Sequence, residues 1–182
     1  MFRTRILTFV LSVFAFILFS SSISSAQIRT VLVSPVPGDP VASGTNLRNA
    51  LAGITSPSST NRWLLKIEPG IYQLQGDALV MRPWVDIEGS GIGMTTISLA
   101  SPTTPTVPTI SGASNAELRM LTVESTAVLA MFNSNAHPRI YRVKFVVQTN
   151  QTQAFGMQNV SSAPKIEECE ISVSVNAPGG LG

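Results

Sequence analysis

An internal repeat constrains the fold of this chain more than any other feature of the sequence. Residues 131–147, MFNSNAHPRIYRVKFVV, align with residues 157–173, MQNVSSAPKIEECEISV, and eight of the 17 positions carry identical or similar residues. A weaker upstream copy aligns three apolar residues with the repeat: Leu118, Leu121 and Val123 with Ile140, Val143 and Phe145. A period of about 20 to 30 residues, with only short apolar segments inside it, is typical of one turn of a solenoid.

The apolar residues of each repeat alternate with polar ones, which predicts two short strands per turn. The first strand contributes one inward side chain and the second contributes three, whereas Lys144, Glu170 and Ser172 between them face solvent. A single turn cannot bury this stripe, so successive turns must stack in register and place like side chains in columns. The paired inward residues are Ile140 with Ile166, Val143 with Cys169, Phe145 with Ile171, and Val147 with Val173.

The sequence therefore predicts an all-β fold, a right-handed parallel β-helix of four to five turns from Trp63 onward. The hand follows from the strong preference of parallel crossovers for the right hand. A leucine-rich repeat has a similar period, but its leucine spacing and its recurrent helix are missing here. Asn133 and Asn159 align within the repeat, which predicts a structural asparagine ladder whose amides bond from one turn to the next.

The segment before the repeats predicts how the solenoid begins. Short apolar pieces separated by Gly, Pro or Asp fill residues 61–97 and indicate short strands. Upstream, Thr45 is the predicted N-cap of a short helix, Asn46–Ile54, that is apolar on one face. We expect residues 27–62 to supply a strand, a loop and this capping helix. Residues 63–182 then form the β-helix, which we expect to be incomplete at its carboxyl end.

The start of the chain, residues 1–26, has the plan of a secretory signal peptide. Arg3 and Arg5 precede an apolar run from Ile6 to Phe19, and small polar residues follow as far as Ala26. The run is short for about 30 Å of hydrocarbon, so we predict cleavage rather than a retained membrane span. The predicted location is secreted, periplasmic or at the cell surface.

Charge and cysteine content narrow the range of functions. The chain has 12 Lys and Arg and 10 Asp and Glu, so removal of the two leader arginines leaves no formal net charge. A neutral chain offers no basic surface to nucleic acid, which we therefore do not expect as a partner. Cys169 is the only cysteine, and its alignment with Val143 predicts a buried small residue rather than a reactive thiol.

Residues 45–99 follow a recognisable order: an apolar helix, KIEPGIYQL, a short strand, VDIEGSG and then TTI. This order resembles the opening of the pectin lyase-like superfamily of secreted, right-handed parallel β-helix proteins. The residues that carry the resemblance are Gly70, Tyr72, Gly89, Gly91, Thr96 and Ile97. The resemblance implies that this block starts and caps the coil, with structural roles for its glycines, and that any catalytic groups lie on later turns.

Few residues match the catalytic chemistry of that superfamily. Glycoside cleavage by acid and base requires two carboxyls on one surface, and the three aspartates, Asp39, Asp77 and Asp86, are scattered along the sequence. The segment Arg142-Val143-Lys144 resembles the Arg-Ile-Lys of polygalacturonase-like members. The candidate catalytic residues are therefore Asp86, Glu88, Arg142 and Lys144.

Asp86 and Glu88 suggest a second role, because they lie on one face of a predicted strand. There they could bind calcium, with Glu117 or Glu124 joining from a later turn. A solvated pair of carboxylates is the simpler interpretation. We therefore expect no cofactor and no metal site, with calcium as the alternative.

Aromatic residues are the candidates for ligand binding, because a flat side chain offers apolar area to a sugar ring. Trp84 and Tyr141 are the preferred candidates, and Trp63 and Tyr72 could act in the same way. Aromatic packing at the capped end of the coil is the alternative for all of them.

Two functions remain open. The first is a secreted, non-catalytic β-helix protein that binds or scaffolds polysaccharide or cell-surface material. The alternative is a carbohydrate-active enzyme of the pectin lyase-like superfamily, of pectinesterase or polysaccharide lyase type, acting on acidic polysaccharide. An enzyme should bring two acidic side chains together in one groove, whereas a binding protein should present aromatic and amide groups without them.

The last repeat predicts an exposed end. Terminal repeats of a solenoid are usually polar and atypical, yet residues 157–173 match their neighbour best of all. A coil that ends there exposes apolar side chains and an unpaired strand edge, which natural proteins normally cover. We expect further chain or another protomer to cover this end.

Overall fold

The computed structural model describes residues 28–176, so the predicted signal peptide and the turn that follows Asn176 lie outside the described residues. One helix and thirteen strands follow each other along this part of the chain. Their bounds are β1 Arg29–Val33, α1 Pro40–Gly53, β2 Trp63–Ile67, β3 Gly70–Gly76, β4 Leu79–Val80, β5 Val85–Glu88, β6 Thr95–Pro102, β7 Ile110–Ser111, β8 Glu117–Ser125, β9 Leu129–Ser134, β10 Arg139–Thr149, β11 Phe155–Val160, β12 Lys165–Glu167 and β13 Glu170–Val175.

The strands form a parallel β-solenoid of about four turns, as the repeat predicts. The larger sheet has nine strands and runs in the order β1-β2-β5-β8-β10-β12, with β3, β6 and β13 also joined to it. The smaller sheet has four strands in the order β11-β9-β7-β4. Each strand pairs in parallel with the equivalent strand of the next turn, so the core lies between the two sheets.

The predicted register is confirmed. Ile140 pairs with Leu118 of the preceding turn on one side and with Ile166 of the following turn on the other. Phe145 likewise pairs with Val123 and with Ile171. These columns are the core, because alternate side chains of every strand point inward and are covered by the turns above and below.

The bend between the two strands of each turn has a recurring backbone conformation. Met120, Arg142 and Glu168 occupy equivalent positions in successive turns and have φ angles of 57°, 52° and 51°. Side chains other than glycine rarely adopt this left-handed region, so its recurrence marks a corner that the stack imposes. The sequence predicted a bend here but gave no sign of its conformation, since none of the three residues is glycine or asparagine.

The helix starts earlier than the sequence predicted. It runs from Pro40 to Gly53, and the side chain of Asp39 accepts a hydrogen bond of 2.8 Å from the backbone N–H of Ala42. Thr45 is therefore not the N-cap, because an aspartate followed by proline at the first helical position is a stronger start signal. The hydroxyl of Thr45 instead donates to the carbonyl of Val41 within the helix.

The helix closes the first end of the core. Leu47 and Leu51 of the helix are buried against this core. A Cβ added at Gly44 would clash with the carbonyl oxygen of Gln73. The backbone of α1 therefore lies directly on β3, which only glycine permits. Within residues 28–176, this helix lacks the length and the apolar character needed to cross a membrane.

The glycines that carry the resemblance occupy demanding positions. Gly70 and Gly91 have φ angles of 154° and 138°, which side chains other than glycine rarely tolerate. At Gly89, an added Cβ would lie 2.4 Å from the carbonyl oxygen of Met120 on the next turn. These three residues therefore allow the chain to turn and to approach the neighbouring coil closely.

The last described turn leaves its inward side chains uncovered. Ile166, Ile171 and Val173 are 46%, 54% and 44% exposed, although their partners one turn earlier are fully buried. Cys169 is partly buried, and its thiol lies 3.2 Å from the carbonyl oxygen of Glu167. Coverage of this end by further chain or by another protomer stays a prediction.

A matched pair of substitutions tests the stacking. Val147 and Val173 lie in the same column one turn apart, but Val147 is covered on both sides. We expect Val147→Ala to lower the free energy of unfolding by about 2 kcal/mol, since it removes two carbons from a packed core. Val173→Ala should cost less than half as much. Urea unfolding at low protein concentration measures both, and equal losses would contradict the register.

Candidate functional site

A groove with a mixed polar and apolar lining crosses the outer face of the larger sheet. It has a volume of about 300 Å³ and runs over strands β3, β6, β8 and β10. Three kinds of polar group line it: amides, hydroxyls and a single carboxylate. These groups belong to Gln73, Gln148, Ser98, Ser125, Thr126 and Glu124.

The stacking register builds this groove. Gln73, Ser98, Glu124 and Val146 are paired in sequence across the four strands, so each turn contributes one residue to the same outer column. Their chain neighbours point inward, because side chains alternate between the two faces of a strand. Neighbouring strands lie about 4.8 Å apart, so the four positions span about 14 Å.

Among residues 28–176, Glu124 is the only charged residue that lines the groove. Its side chain is exposed, and it forms no ion pair within the described part of the chain. Ile71, Ala100 and Val146 add apolar surface between the polar groups. The groove can therefore offer hydrogen bonds and apolar contact to an extended ligand along the axis of the solenoid.

The sequence alone does not predict this groove. It indicates Glu124 only as a possible further ligand in a calcium site and gives no role to Gln73, Ser98 or Gln148. The available signal was the outward half of the alternation, which is polar in one strand after another: Gln73 in β3, Ser98 in β6, Glu124 in β8 and Gln148 in β10. To use that signal, the alignment between turns of different length must be known. The repeat in the sequence defines this alignment only for the last turns.

The candidate catalytic residue Asp86 is held in an ion pair. It is 8% exposed, and its carboxylate accepts hydrogen bonds from the Arg62 guanidinium at 3.1 Å and from the backbone N–H of Glu117 at 2.9 Å. These contacts tie β5 to the next turn and to the residue before β2. The carboxylate of Asp86 therefore connects neighbouring turns and has little access to a ligand.

Glu88 lies between two cations. Its carboxylate oxygens are 2.6 Å from Nζ of Lys66 and 2.6 Å from the guanidinium of Arg119. Partial burial raises the pKa of Glu88, but the hydrogen bonds and charges of Lys66 and Arg119 outweigh this effect and hold the pKa below its ordinary value of 4.5. Glu88 is thus ionised throughout the neutral and mildly acidic range.

These pairs belong to a longer series, which we name the ion-pair ladder. From Arg119 it continues to Glu117 at 2.7 Å, and from there Arg139 connects Glu117 at 3.8 Å with Glu167 at 3.0 Å. The ladder consists of Lys66, Glu88, Arg119, Glu117, Arg139 and Glu167. It runs across the larger sheet from β2 to β12 with alternating charge.

The ladder bears on the calcium alternative. Glu88 and Glu117 do come together, but the guanidinium of Arg119 binds both carboxylates. In residues 28–176, no group of three His, Cys, Asp or Glu side chains is placed to hold a metal ion. Calcium binding by Asp86 and Glu88 stays a prediction. Such binding would require Arg119 to move away from Glu88.

Arg142 and Lys144 lie apart from the two carboxylates. Arg142 forms an ion pair of 2.6 Å with Glu168, and Lys144 forms one of 2.8 Å with Glu170. Neither contacts Asp86 or Glu88, whose cationic partners come from other residues. The structure therefore does not bring the four candidate catalytic residues into one site.

The candidate aromatic residues have cations over their rings. The guanidinium of Arg62 lies 5.5 Å from the ring centre of Trp84, and those of Arg139 and Arg142 lie 5.7 and 5.0 Å from that of Tyr141. Both rings are partly buried. A sugar could stack on them only where an arginine leaves ring surface free, so this role stays a prediction.

The suggestion that Tyr72 stacks on sugar is wrong. Its side chain is fully buried, and its hydroxyl lies 3.1 Å from the carbonyl oxygens of Val33 and Glu68. Burial raises the pKa of Tyr72 to about 12, and the charge of Glu68 adds to the shift. Tyr72 therefore fastens β1 to the first full turn of the core.

The two aligned asparagines form a hydrogen bond between turns. Asn133 is buried and pairs with Asn159 in neighbouring strands β9 and β11. Nδ2 of Asn133 donates to Oδ1 of Asn159 at 2.7 Å. This contact lies in the smaller sheet and serves the stack rather than the groove.

Comparison with known proteins identifies no relative of this chain. No protein family matches the chain, no curated protein matches it, and no solved structure matches it. The resemblance to the pectin lyase-like superfamily therefore rests on the residues that carry it and on the parallel solenoid. The groove has to be interpreted from its own chemistry.

The ion pairs of Glu88 predict a pH-dependent contribution to stability. We expect Glu88→Gln to lower the free energy of unfolding by about 2 kcal/mol at pH 7, because hydrogen bonds to charged partners are lost. A carboxylate with a lowered pKa stabilises the fold above its unfolded pKa of about 4.5, and this contribution is lost as the pH falls through the lower folded value. The difference between the two proteins should therefore shrink as the pH falls below about 4.5.

Glu124→Gln is the matched control, since that carboxylate is exposed and lacks an ion pair in the described residues. Urea unfolding at several pH values should show a change below about 0.5 kcal/mol for this variant. A Glu88→Gln deficit that stays constant down to pH 3 would show that lost packing, not charge, causes it.

Proposed function

We propose that the protein is exported and binds a polysaccharide chain along the groove without cleaving it. The observation that carries this proposal is the groove itself, which crosses four strands and presents amides, hydroxyls and apolar side chains. A ligand that repeats along its length suits a surface that repeats from turn to turn. On this proposal the fold is that of a non-catalytic relative of the pectin lyase-like superfamily.

The distribution of carboxylates supports binding rather than cleavage. Acid and base cleavage of a glycoside requires two carboxyls on one surface, and the groove is lined by one, Glu124. Asp86 and Glu88 are engaged by Arg62, Lys66 and Arg119. A residue that must exchange protons with a ligand needs access to it, which these ion pairs restrict.

Amide substitutions test the proposal. We expect Gln73→Ala and Gln148→Ala each to weaken binding of a polysaccharide about fivefold, because each removes hydrogen bonds worth about 1 kcal/mol. Gln158→Ala is the matched control, since that exposed amide lies on β11 of the smaller sheet. Affinity electrophoresis in gels that contain soluble polysaccharides measures all three.

Equal losses for Gln148→Ala and Gln158→Ala would place binding outside the groove. Product release from any polysaccharide, abolished by Asp86→Ala, would instead establish the enzyme alternative. Reducing-end and unsaturated-product assays on the purified chain, with and without calcium, detect that outcome.

A further inference from the structure

We propose that the groove selects uncharged glycans and disfavours acidic ones. This inference rests on the proposed function, because it names the class of polysaccharide that the groove would bind. The superfamily resemblance alone implies an acidic polysaccharide as ligand. The charge in this groove is negative, whereas an acidic ligand requires positive groups.

The carboxylate of Glu124 is the first observation. Glu124 is the third of the four residues in the outer column and lies between Ser98 and Val146. It is exposed to the groove, and in the part of the chain that the structure describes no Lys, Arg or His lines the groove beside it. A uronate chain laid along this column would place its own carboxylates next to Glu124, and like charges at short range repel each other.

The engagement of the surrounding cations is the second observation. Lys144 lies on the neighbouring outer column, but its ammonium group forms an ion pair of 2.8 Å with Glu170. Lys66 and Arg119 are held by Glu88 in the ion-pair ladder. Recognition of a carboxylate depends on arginine or lysine groups that are free to bind it, and the described residues that line the groove include neither.

The remaining lining suits a neutral sugar. The amides of Gln73 and Gln148 can both donate and accept hydrogen bonds, as hydroxyl groups require, and Glu124 can accept from a hydroxyl. Ile71, Ala100 and Val146 present apolar area of the kind that the C–H face of a pyranose covers. Ile71 is 53% exposed and also borders a second depression beside the loop from Pro35 to Pro40. Toward the capped end, this second depression adds the carboxylate of Asp39 and no cation among the described residues.

The test compares glycans that differ in charge. Affinity electrophoresis with a neutral β-glucan, a neutral galactomannan, polygalacturonate, alginate and the cationic chitosan is run at low and at high salt. We expect at least one neutral polymer to bind with an affinity that salt does not change, and the acidic polymers to bind at least tenfold more weakly at low salt. Raising the salt should narrow this difference, because salt screens repulsion.

Glu124→Gln separates charge from shape. We expect this variant to strengthen binding of the acidic polymers several-fold at low salt and to change binding of the neutral polymer less than threefold. Glu68→Gln is the matched control, since it makes the same change of net charge outside the groove lining. It should alter neither affinity.

The outcomes are distinguishable from those of the proposed function. Tighter binding of an acidic polymer by the unaltered protein would overturn the charge selection and leave polysaccharide binding intact. Salt-sensitive binding of chitosan that Glu124→Gln abolishes would assign a cationic glycan instead of an uncharged one. Failure of every polymer to bind would overturn both proposals.

Discussion

The inward side chains of this solenoid are buried only where a neighbouring turn covers them on each side. Ile140 is fully buried between Leu118 and Ile166, whereas Ile166, covered on one side in the described residues, is 46% exposed. No turn therefore has a core of its own, and burial of apolar area, the main favourable term in folding, depends on the contact between turns. The helix α1 supplies that contact at the first end, where Leu47 and Leu51 are buried.

The same register also arranges the outer surface. Where charged residues occupy the outward positions, consecutive turns place opposite charges together and form the ion-pair ladder around Glu88 and Arg119. Where mostly uncharged residues occupy them, the columns form the groove, in which Glu124 stands between Ser98 and Val146. One stacking rule thus yields a charged surface whose charges pair with each other and a groove of mostly uncharged groups.

The sequence predicts the parts of the fold that repeat. It does not predict the contacts between distant turns, and the predicted start of the helix is wrong although its signal is local. Alignment of Ile140 with Ile166 was correct, because inward positions must match from turn to turn. The helix start at Asp39 was missed although its capping signal is local, since the apolar face of the later segment was given more weight. The partners of Asp86 and Glu88 were not predictable, because they lie 24, 22 and 31 residues away and the repeat does not define the early turns.

Contact between specific side chains of consecutive turns is the most direct measure of the stack. Nuclear Overhauser spectroscopy on protein with labelled Ile, Leu and Val methyl groups and labelled Phe rings reports such contacts. The structure predicts cross-peaks that join Leu118 to Ile140, Ile140 to Ile166, and Phe145 to Ile171. Absence of these cross-peaks, together with contacts typical of antiparallel hairpins between consecutive strands, would contradict the parallel solenoid and the groove that its register builds.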